Sequence, residues 1–534
     1  MRYIKGEDRN QLQASFVCLD EMIESNNLVR VIDYFVSNLD LVGYGFTKAI
    51  PESKGRKPYD PRDLLKLYIY GYLNKINSSR RLETESKRNI ELKWLLGNLS
   101  PDFKTIADFR KDNRSTLKQV FKEFTFICKS AKLLDFELTA IDGSFFSAVN
   151  HNGRNYSKTK LKRLMQKLDQ QIDNYLEEIS RQDNQEFSHS IELSEKLSKL
   201  KESQQKYRFL LKKLETDQET QISLTDPDSK MMTKPQSKKD VSYNVQTAVD
   251  SKQKLIAEFD VTNDHNDLKQ LTRMSCKVKE TYGLNRLKVT ADSGYFSGEE
   301  LSTSKAENIE TYVPEKKSDK SDKKGKFSSR HFRYDESGDF YVCPLGTKLS
   351  YYSFDKKSKA RIYANPKACK HCPSLAQCTS TRSRHRRIYR SYYAEVVEQQ
   401  KQRNKQNKEI IESRKMIVEH PFGTIKRHMG LGDFLTKGLV SVNGEFSLIA
   451  LSYNIKRAYN ILGFDKLMAA MQSYFNQEST KTKVLTDIIN FRNQVSTFLK
   501  QFTHQNDKIH DILNILNKNG TILPVYNIRF LHSL

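Results

Sequence analysis

Three acidic side chains stand where phosphodiester chemistry could use them. Asp142 follows the short apolar stretch FELTAI (136–141) and runs into Gly143-Ser144, and Asp292 follows RLKVTA (286–291) and runs into Ser293-Gly294. Each stretch is β-prone and apolar, which predicts a buried strand ending in an acid. In open α/β folds ligands bind beyond the carboxyl ends of strands, so the two carboxylates could sit side by side despite their distance in sequence. Two converging carboxylates offer oxygen ligands for hard cations such as Mg²⁺ or Mn²⁺. A pair of such ions about 3.5–4 Å apart activates a nucleophile and stabilises the leaving oxygen of a phosphodiester. An acid followed by glycine after a strand is also ordinary turn chemistry. Glu419 adds a third carboxylate, in RKMIVEHPFGTIKRHMG (414–430), where Ile417 and Val418 precede it and Lys426 and Arg427 follow. Burying a glutamate in such a segment is costly without a cation or partner. Pro421 disfavours a helical His420, which predicts a helix break just after Glu419.

A second constellation is made of sulfur. Cys343, Cys369, Cys372 and Cys378 fall close together, with a Cys-x2-Cys at 369–372. Zinc takes four soft ligands tetrahedrally, and such a pair supplies two of them from one turn. The other spacings are not those of a zinc finger, and His371 is an alternative ligand. Lone thiols in a basic loop are the competing reading. Four protein ligands would leave no open position, so a zinc here would be structural. Cys18, Cys128 and Cys276 are isolated and read as core packing. His265 lacks a partner at a readable spacing and reads as a loop histidine.

The chain of 534 residues carries 90 Lys and Arg against 65 Asp and Glu, a formal charge of +25. That excess is the footprint expected for a polyanionic partner. Arg382, Arg384, Arg386, Arg387 and Arg390 beside the cysteines could neutralise several phosphates. With 28 Phe and 26 Tyr the chain is too aromatic for wholesale disorder. No apolar run approaches the ~18 residues of a membrane span, and the start lacks a signal-peptide core. The expectation is a cytosolic protein without a membrane partner.

These residues need a scaffold. Helical periodicity appears at 28–39, 61–76, 80–99 and 101–114, with Asp60-Pro61 as a cap and first-turn proline. Short helices with Arg80, Arg81, Lys87 and Arg88 exposed fit a helix-turn-helix DNA module or a plain helical bundle. Beyond the first strand, 157–220 is charged and almost free of glycine, which predicts a helical hairpin inserted into the core. Strands at 241–250 and 254–262, a helix at 267–283, the strand before Asp292, a helix at 297–308 and a strand at 309–316 make a mixed α/β core. Residues 316–390 read as irregular and basic. A long helix is predicted over 392–430, an apolar one over 445–462, and a basic helical tail beyond.

The segments IDGSFFSAVN (141–150), YNVQTAVD (243–250), ADSGYFSGEE (291–300) and VEHPFGTIKR (418–427) together resemble the insertion-sequence transposases of the DDE class, in the branch with an EHPFG-type glutamate motif. KPYDPRDLLKLYIYGYL to KTIADFRKDN (within 58–114) looks like that family's N-terminal helical domain, and DPDSKMM (226–232) and YNIKRA (453–458) match as well. Four motifs in register make the resemblance specific. It implies an RNase H-like catalytic core in which Asp142, Asp292 and Glu419 bind two Mg²⁺ or Mn²⁺ ions. It also implies that Lys426 and Arg414 contact DNA phosphates, with Arg427 beside them. Ile411 stands near the family's tyrosine position, and Arg414 lies five residues before Glu419 rather than four.

The expected domains are 1–130, helical and DNA-binding; 131–155 with 222–315 and 391–462, the core; 156–221, the hairpin; 316–390, the basic Cys-rich insertion; and 463–534, the tail. The implied activity is metal-dependent cleavage at the element's ends and strand transfer into target DNA, by a homodimer on double-stranded DNA in the bacterial nucleoid. An inactive DNA-binding descendant, or a nuclease without strand transfer, are the alternatives.

Overall fold

The computed structural model describes residues 18–518 apart from 56, 151–153, 183–186, 234–238, 316–326 and 380–383. Arg382, the lysine-rich run at 316–326 and the ends 1–17 and 519–534 therefore lie outside the described residues. The chain divides into Met1–Leu467 and Met468–Leu534.

Six helices open the chain: α1 (Leu28–Ser37), α2 (Pro61–Leu73), α3 (Ser79–Arg88), α4 (Ile90–Leu95), α5 (Phe103–Asp112) and α6 (Leu117–Ser130). Asp60 caps α2, its side chain accepting from the Arg62 N–H at 2.8 Å. Helix α2 is buried on every side, with Leu65, Leu67, Tyr68, Ile69 and Tyr72 all inaccessible. The single helix expected over 80–99 is two. Asn89 is extended (φ −85°, ψ 126°) and its side chain accepts from the N–H groups of Glu91 and Leu92, ending one helix and capping the next.

The core begins with β1 (Thr139–Ser147). After it come β2 (Asn155–Ser157), the long helices α7 (Lys158–Gln182) and α8 (Phe187–Thr216), and β3 (Gln221–Ser223). Strands β2 and β3 pair at the base of this helical hairpin, over a cluster of Tyr156, Leu161, Leu210 and Leu214. Next come β4 (Lys230–Thr233), β5 (Lys239–Asp250), β6 (Ile256–Thr262), α9 (Leu271–Tyr282), β7 (Leu287–Thr290), α10 (Gly298–Ala306) and β8 (Ile309–Tyr312). Across the sheet the strands run β6-β5-β1-β7-β8, and β4 pairs the same edge of β5 as β6 does. Strand β5 is antiparallel to β1 and β6, while β7 and β8 are parallel to β1. This is the mixed α/β sheet expected, with a helical N-terminal region before it. Every residue of β6 is buried, as expected of a strand covered on both faces.

Strand β1 does not end at its acid. It continues through Asp142 to Ser147, laddered with β5 down to Ser242. Its ladder with β7 covers only Thr139 and Ala140. Asp142 is therefore mid-strand on one side and just past the end of pairing on the other, where the sheet opens.

Residues expected to be irregular form a second sheet. Strands β9 (Arg333–Asp335), β10 (Phe340–Val342), β11 (Lys348–Asp355), β12 (Ala360–Ala364) and β13 (Arg387–Ser391) make an antiparallel meander, with α11 (Pro366–Lys370) and α12 (Leu375–Cys378) between the last two. The long helix expected over 392–430 is α13 (Ala394–Gln406) and α14 (Lys408–Gly423), interrupted at Asn407. The break expected after Glu419 is absent, since α14 runs through Pro421. The missing proline N–H is followed by a wider π-helical turn at Thr424–His428. Helix α15 (Leu439–Lys518) contains a non-helical Gly463 at φ 72°. Asp228 meets the start of α15, accepting from the Leu439 N–H at 2.8 Å, and Asp226 accepts from the Gly438 N–H and from Tyr243. The DPDSKMM motif thus braces a helix start rather than the acid cluster. Among the described residues no helix is long and apolar enough to cross a membrane.

Candidate active site

Asp142 lies at the opening of the sheet and two further carboxylates adjoin it. Asp292 stands two residues past β7, where its side chain accepts from the Gly294 N–H at 2.7 Å and caps a short turn. Asp267, in the loop before α9, accepts from Asn244 Nδ2 at 2.8 Å and Gln246 Nε2 at 2.7 Å, both on β5. Two glycines make this approach possible. A Cβ on Gly143 would lie 2.4 Å from Gln246 Nε2 and 2.8 Å from Asp267 Oδ1. One on Gly294 would lie 2.8 Å from Asp292 Oδ1. Tyr295, fully buried, donates to Gln246 Oε1 and completes the floor.

The electrostatics follow from that crowding. Burial pushes the Asp142 carboxyl up to about 7 from an ordinary 3.8. The Arg414 guanidinium opposes this, and the negative charges of Asp292 and Asp267 reinforce it. Arg414 Nη1 stands 3.6 Å from Asp142 Oδ1, at ion-pair distance. Asp292 and Asp267 are near enough for their charges to act on Asp142, which has Arg414 at ion-pair distance. Carboxylate oxygens are the donor type that Mg²⁺ and Mn²⁺ take.

Sequence reasoning passed over Asp267. Its signal was available as a non-helical acid ahead of an amphipathic helix, in the loop leaving the strand that pairs β5. Only the fold brings it to Gly143.

Glu419 stands on α14, the helix that also carries Arg414. Five residues separate them, which on an α-helix is about 7.5 Å along the axis and about 140° around it. The Glu419 side chain is 64% exposed and lies 3.7 Å from Lys415. Its neighbours turn inward. Ile417 and Val418 pack with Ala140 and Val249, Pro421 is buried, and the Phe422 ring is 6.3 Å from that of Phe146. His420 meets the Tyr453 hydroxyl at 2.9 Å, and burial, then Arg457, holds its imidazole below the usual range. Among the described residues no three His, Cys, Asp or Glu side chains are drawn tightly enough together to hold a metal ion between them.

The expected DNA-binding cations divide by exposure. Lys426 bonds Ser144 Oγ at 2.6 Å and the Phe145 carbonyl at 2.7 Å, tying α14 to β1. Arg427, Arg81, Arg384 and Arg387 are exposed. The Arg80 guanidinium lies over the Phe103 ring at 4.8 Å. Arg386 turns inward, donating to the Cys378 carbonyl at 2.9 Å. Arg390 is buried and paired with Glu398 at 2.7 Å.

Cys343, Cys369, Cys372 and Cys378 line one cavity in the small meander sheet. None is in a disulfide. Of the three isolated cysteines, Cys128 is buried as expected, Cys276 is half-buried and Cys18 is exposed. Cys18 precedes a short 3₁₀ turn rather than lying on an apolar helix face.

Two family models match this chain. Residues 17–112, covering α1 to α5, match the transposase domain DUF772. Residues 342–459, from the end of β10 into α15, match the transposase DDE domain. Glu419 lies inside the second match, while Asp142 and Asp292 lie outside both. No curated protein matches. A solved piggyBac transposase synaptic complex with hairpin DNA aligns over 84% of this chain and 79% of its own, at 8% identity and a TM-score of 0.30. That superposition is too loose to bear on the arrangement of this chain. The two matches, over the N-terminal helices and over the helix that carries Glu419, support an insertion-sequence transposase of the DDE class.

Proposed function

We propose that Asp142, Asp292 and Glu419 hold a pair of Mg²⁺ or Mn²⁺ ions, and that the protein uses them to cut DNA at the ends of its element and join the freed 3′-hydroxyl to target DNA. The observation that carries this reading is the approach of Asp292 and Asp267 to the Asp142 carboxyl past Gly143 and Gly294, with Arg414 3.6 Å from it, in a chain of net charge +25. A basic protein that concentrates buried negative charge beside one arginine is arranged to bind a cation there.

Divalent ions bound to these carboxylates would supply a deprotonated nucleophile and stabilise the leaving 3′-oxygen. The chain's own residues do the remaining work. Asp142 is fixed by the β1–β5 ladder, and Asp292 by its bond to the Gly294 N–H. The inward packing of Val418, Pro421 and Phe422 anchors α14 and leaves Glu419 as an exposed acid, which would have to turn toward Asp142 to share an ion with it. Lys426 holds the far end of β1 to that helix. Arg427, Arg384, Arg387 and Arg81 are exposed and would contact phosphates, with the N-terminal helices reading the element's end. Two ends require two centres, so the working unit is a homodimer on DNA.

The direct test is Asp142→Asn. Mg²⁺-dependent cleavage is expected to vanish while DNA affinity stays within about twofold; equal loss of both would overturn the assignment. The exposed Glu419–Lys415 pair favours one alternative, a DNA-binding protein whose carboxylates no longer close on metal. Tight binding to element ends without cleavage in either Mg²⁺ or Mn²⁺ would establish that alternative.

A further inference from the structure

We propose that Cys343, Cys369, Cys372 and Cys378 form a structural zinc site that staples the meander sheet and fixes the segment bearing Arg384 and Arg387.

The four cysteines come from separate elements and meet at one place. Cys343 leaves β10, Cys369 lies in α11, Cys372 follows in the next turn, and Cys378 ends α12. All four line a cavity of about 30 Å³ that also touches Phe332, Leu349 and Leu375. Four thiols lining one small cavity are the donor set a tetrahedral zinc ion takes; no three of them stand at metal-holding separation, so binding draws them together.

The backbone around each thiol is already turned for the role. At Cys343 the chain doubles back through Gly346 at φ 81°, with the Gly346 N–H on the Cys343 carbonyl at 2.9 Å. The Thr347 N–H then points at Cys343 Sγ, at 3.3 Å. At the second pair, Asn365 caps α11 through the Ala368 N–H at 3.0 Å, and the Cys372 N–H reaches the Cys369 carbonyl.

Two further features need such a staple. The buried core of this sheet is Phe332, Tyr341, Leu349, Tyr363 and Ile388, and a module of that size lacks the apolar area to hold itself rigid without a cross-link or metal. Arg386 is the second. It bonds the Cys378 carbonyl, and its guanidinium lies 5.4 Å from the Phe332 ring centre beside the thiols. A zinc ion with four thiolates carries a net charge of −2, and Arg386 is placed to offset it. Four protein ligands leave no open position, so the ion is structural.

Binding exchanges thiol protons for one Zn²⁺ and needs no oxidant or reductant. The full chain, purified without chelator, is expected to carry one zinc per chain by plasma mass spectrometry. The Asp142→Asn variant should keep it, which separates this site from the acid cluster. Replacing zinc with Co²⁺ should give the strong near-ultraviolet thiolate-to-cobalt absorption of a tetrahedral sulfur site. Cys372→Ser and Cys343→Ser should each lower the zinc content. If those variants do not fold, mercurial titration of the unaltered chain serves instead, with zinc release expected to track four thiols. A zinc-free chain whose four thiols react at once with a disulfide reagent would overturn the proposal, as would two disulfides.

Discussion

Arg414 Nη1 lies 3.6 Å from Asp142 Oδ1, so the helix that carries Glu419 also supplies the cation nearest the buried carboxylate of the central strand. Both side chains are mostly buried, at 20% and 23% exposure. The pair holds the acid cluster together before any divalent ion binds. A metal at Asp142 has to share that carboxylate with Arg414 or replace it.

Removing the arginine should therefore shift the pH dependence of cleavage. Burial raises the Asp142 pKa to about 7 even with Arg414 beside it pulling the other way. In Arg414→Gln the carboxyl keeps its proton to higher pH. The acid limb of the pH–rate profile in saturating Mg²⁺ should move upward, while cleavage above it is largely retained. An unmoved limb would show that Asp142 ionisation does not govern the reaction.

Asp142 also makes a stability prediction. Its carboxyl binds a proton more tightly folded than unfolded, so ionisation costs native stability, increasingly so as pH rises from about 4 to about 7. In metal-free solution Asp142→Asn should melt above the unaltered protein at pH 8 and level with it near pH 4. Calorimetry at the two values checks this. Added Mg²⁺ should raise the midpoint of the unaltered protein more than that of the variant.

Asp267→Asn keeps an oxygen for Asn244 and Gln246 but removes a negative charge beside Asp142. The Mg²⁺ concentration for half-maximal cleavage should rise severalfold, with the rate at saturation nearly unchanged. Titrating Mg²⁺ in a nicking assay separates this from a structural defect, which would lower the rate at every concentration.

Glu445 joins the N-terminal helices to the core. Its carboxylate accepts from Tyr72 at 3.2 Å and from the Thr436 N–H at 2.9 Å, and lies 3.9 Å from Arg110. Glu445→Ala leaves a buried arginine and backbone donors unpaired, and should destabilise by about 3–5 kcal/mol. Urea unfolding measures it, and a loss below about 1 kcal/mol would mean that water replaces the carboxylate.

Alternation and helical period made the N-terminal helices, the hairpin and the five main strands legible in the sequence. Local breaks were less visible. Asn89 divides a periodic run because its side chain caps the following turn, and Pro421 sits inside a helix that a π turn relieves downstream. The meander sheet was missed because its strands are short and their apolar residues do not alternate with burial: in KLSYYSFD only Leu349 is buried, while Tyr351, Tyr352 and Phe354 are exposed. The acids Asp142 and Asp292 were legible because apolar strands lead into them. Asp267 was not, because its place beside them is set by hydrogen bonds from Asn244 and Gln246 on β5, which no local pattern announces. The inward turn of Arg386 and Lys426 was equally hidden, since composition cannot separate a cation that braces backbone from one that meets phosphate.

The most direct measurement incubates the protein with the DNA flanking its own gene, in Mg²⁺ or EDTA, beside Glu419→Gln. Cleavage confined to the element's ends, lost in EDTA and lost in Glu419→Gln while binding persists, is the expected result. Cleavage that survives Glu419→Gln at full rate would contradict the assignment of Glu419 to the metal-binding triad.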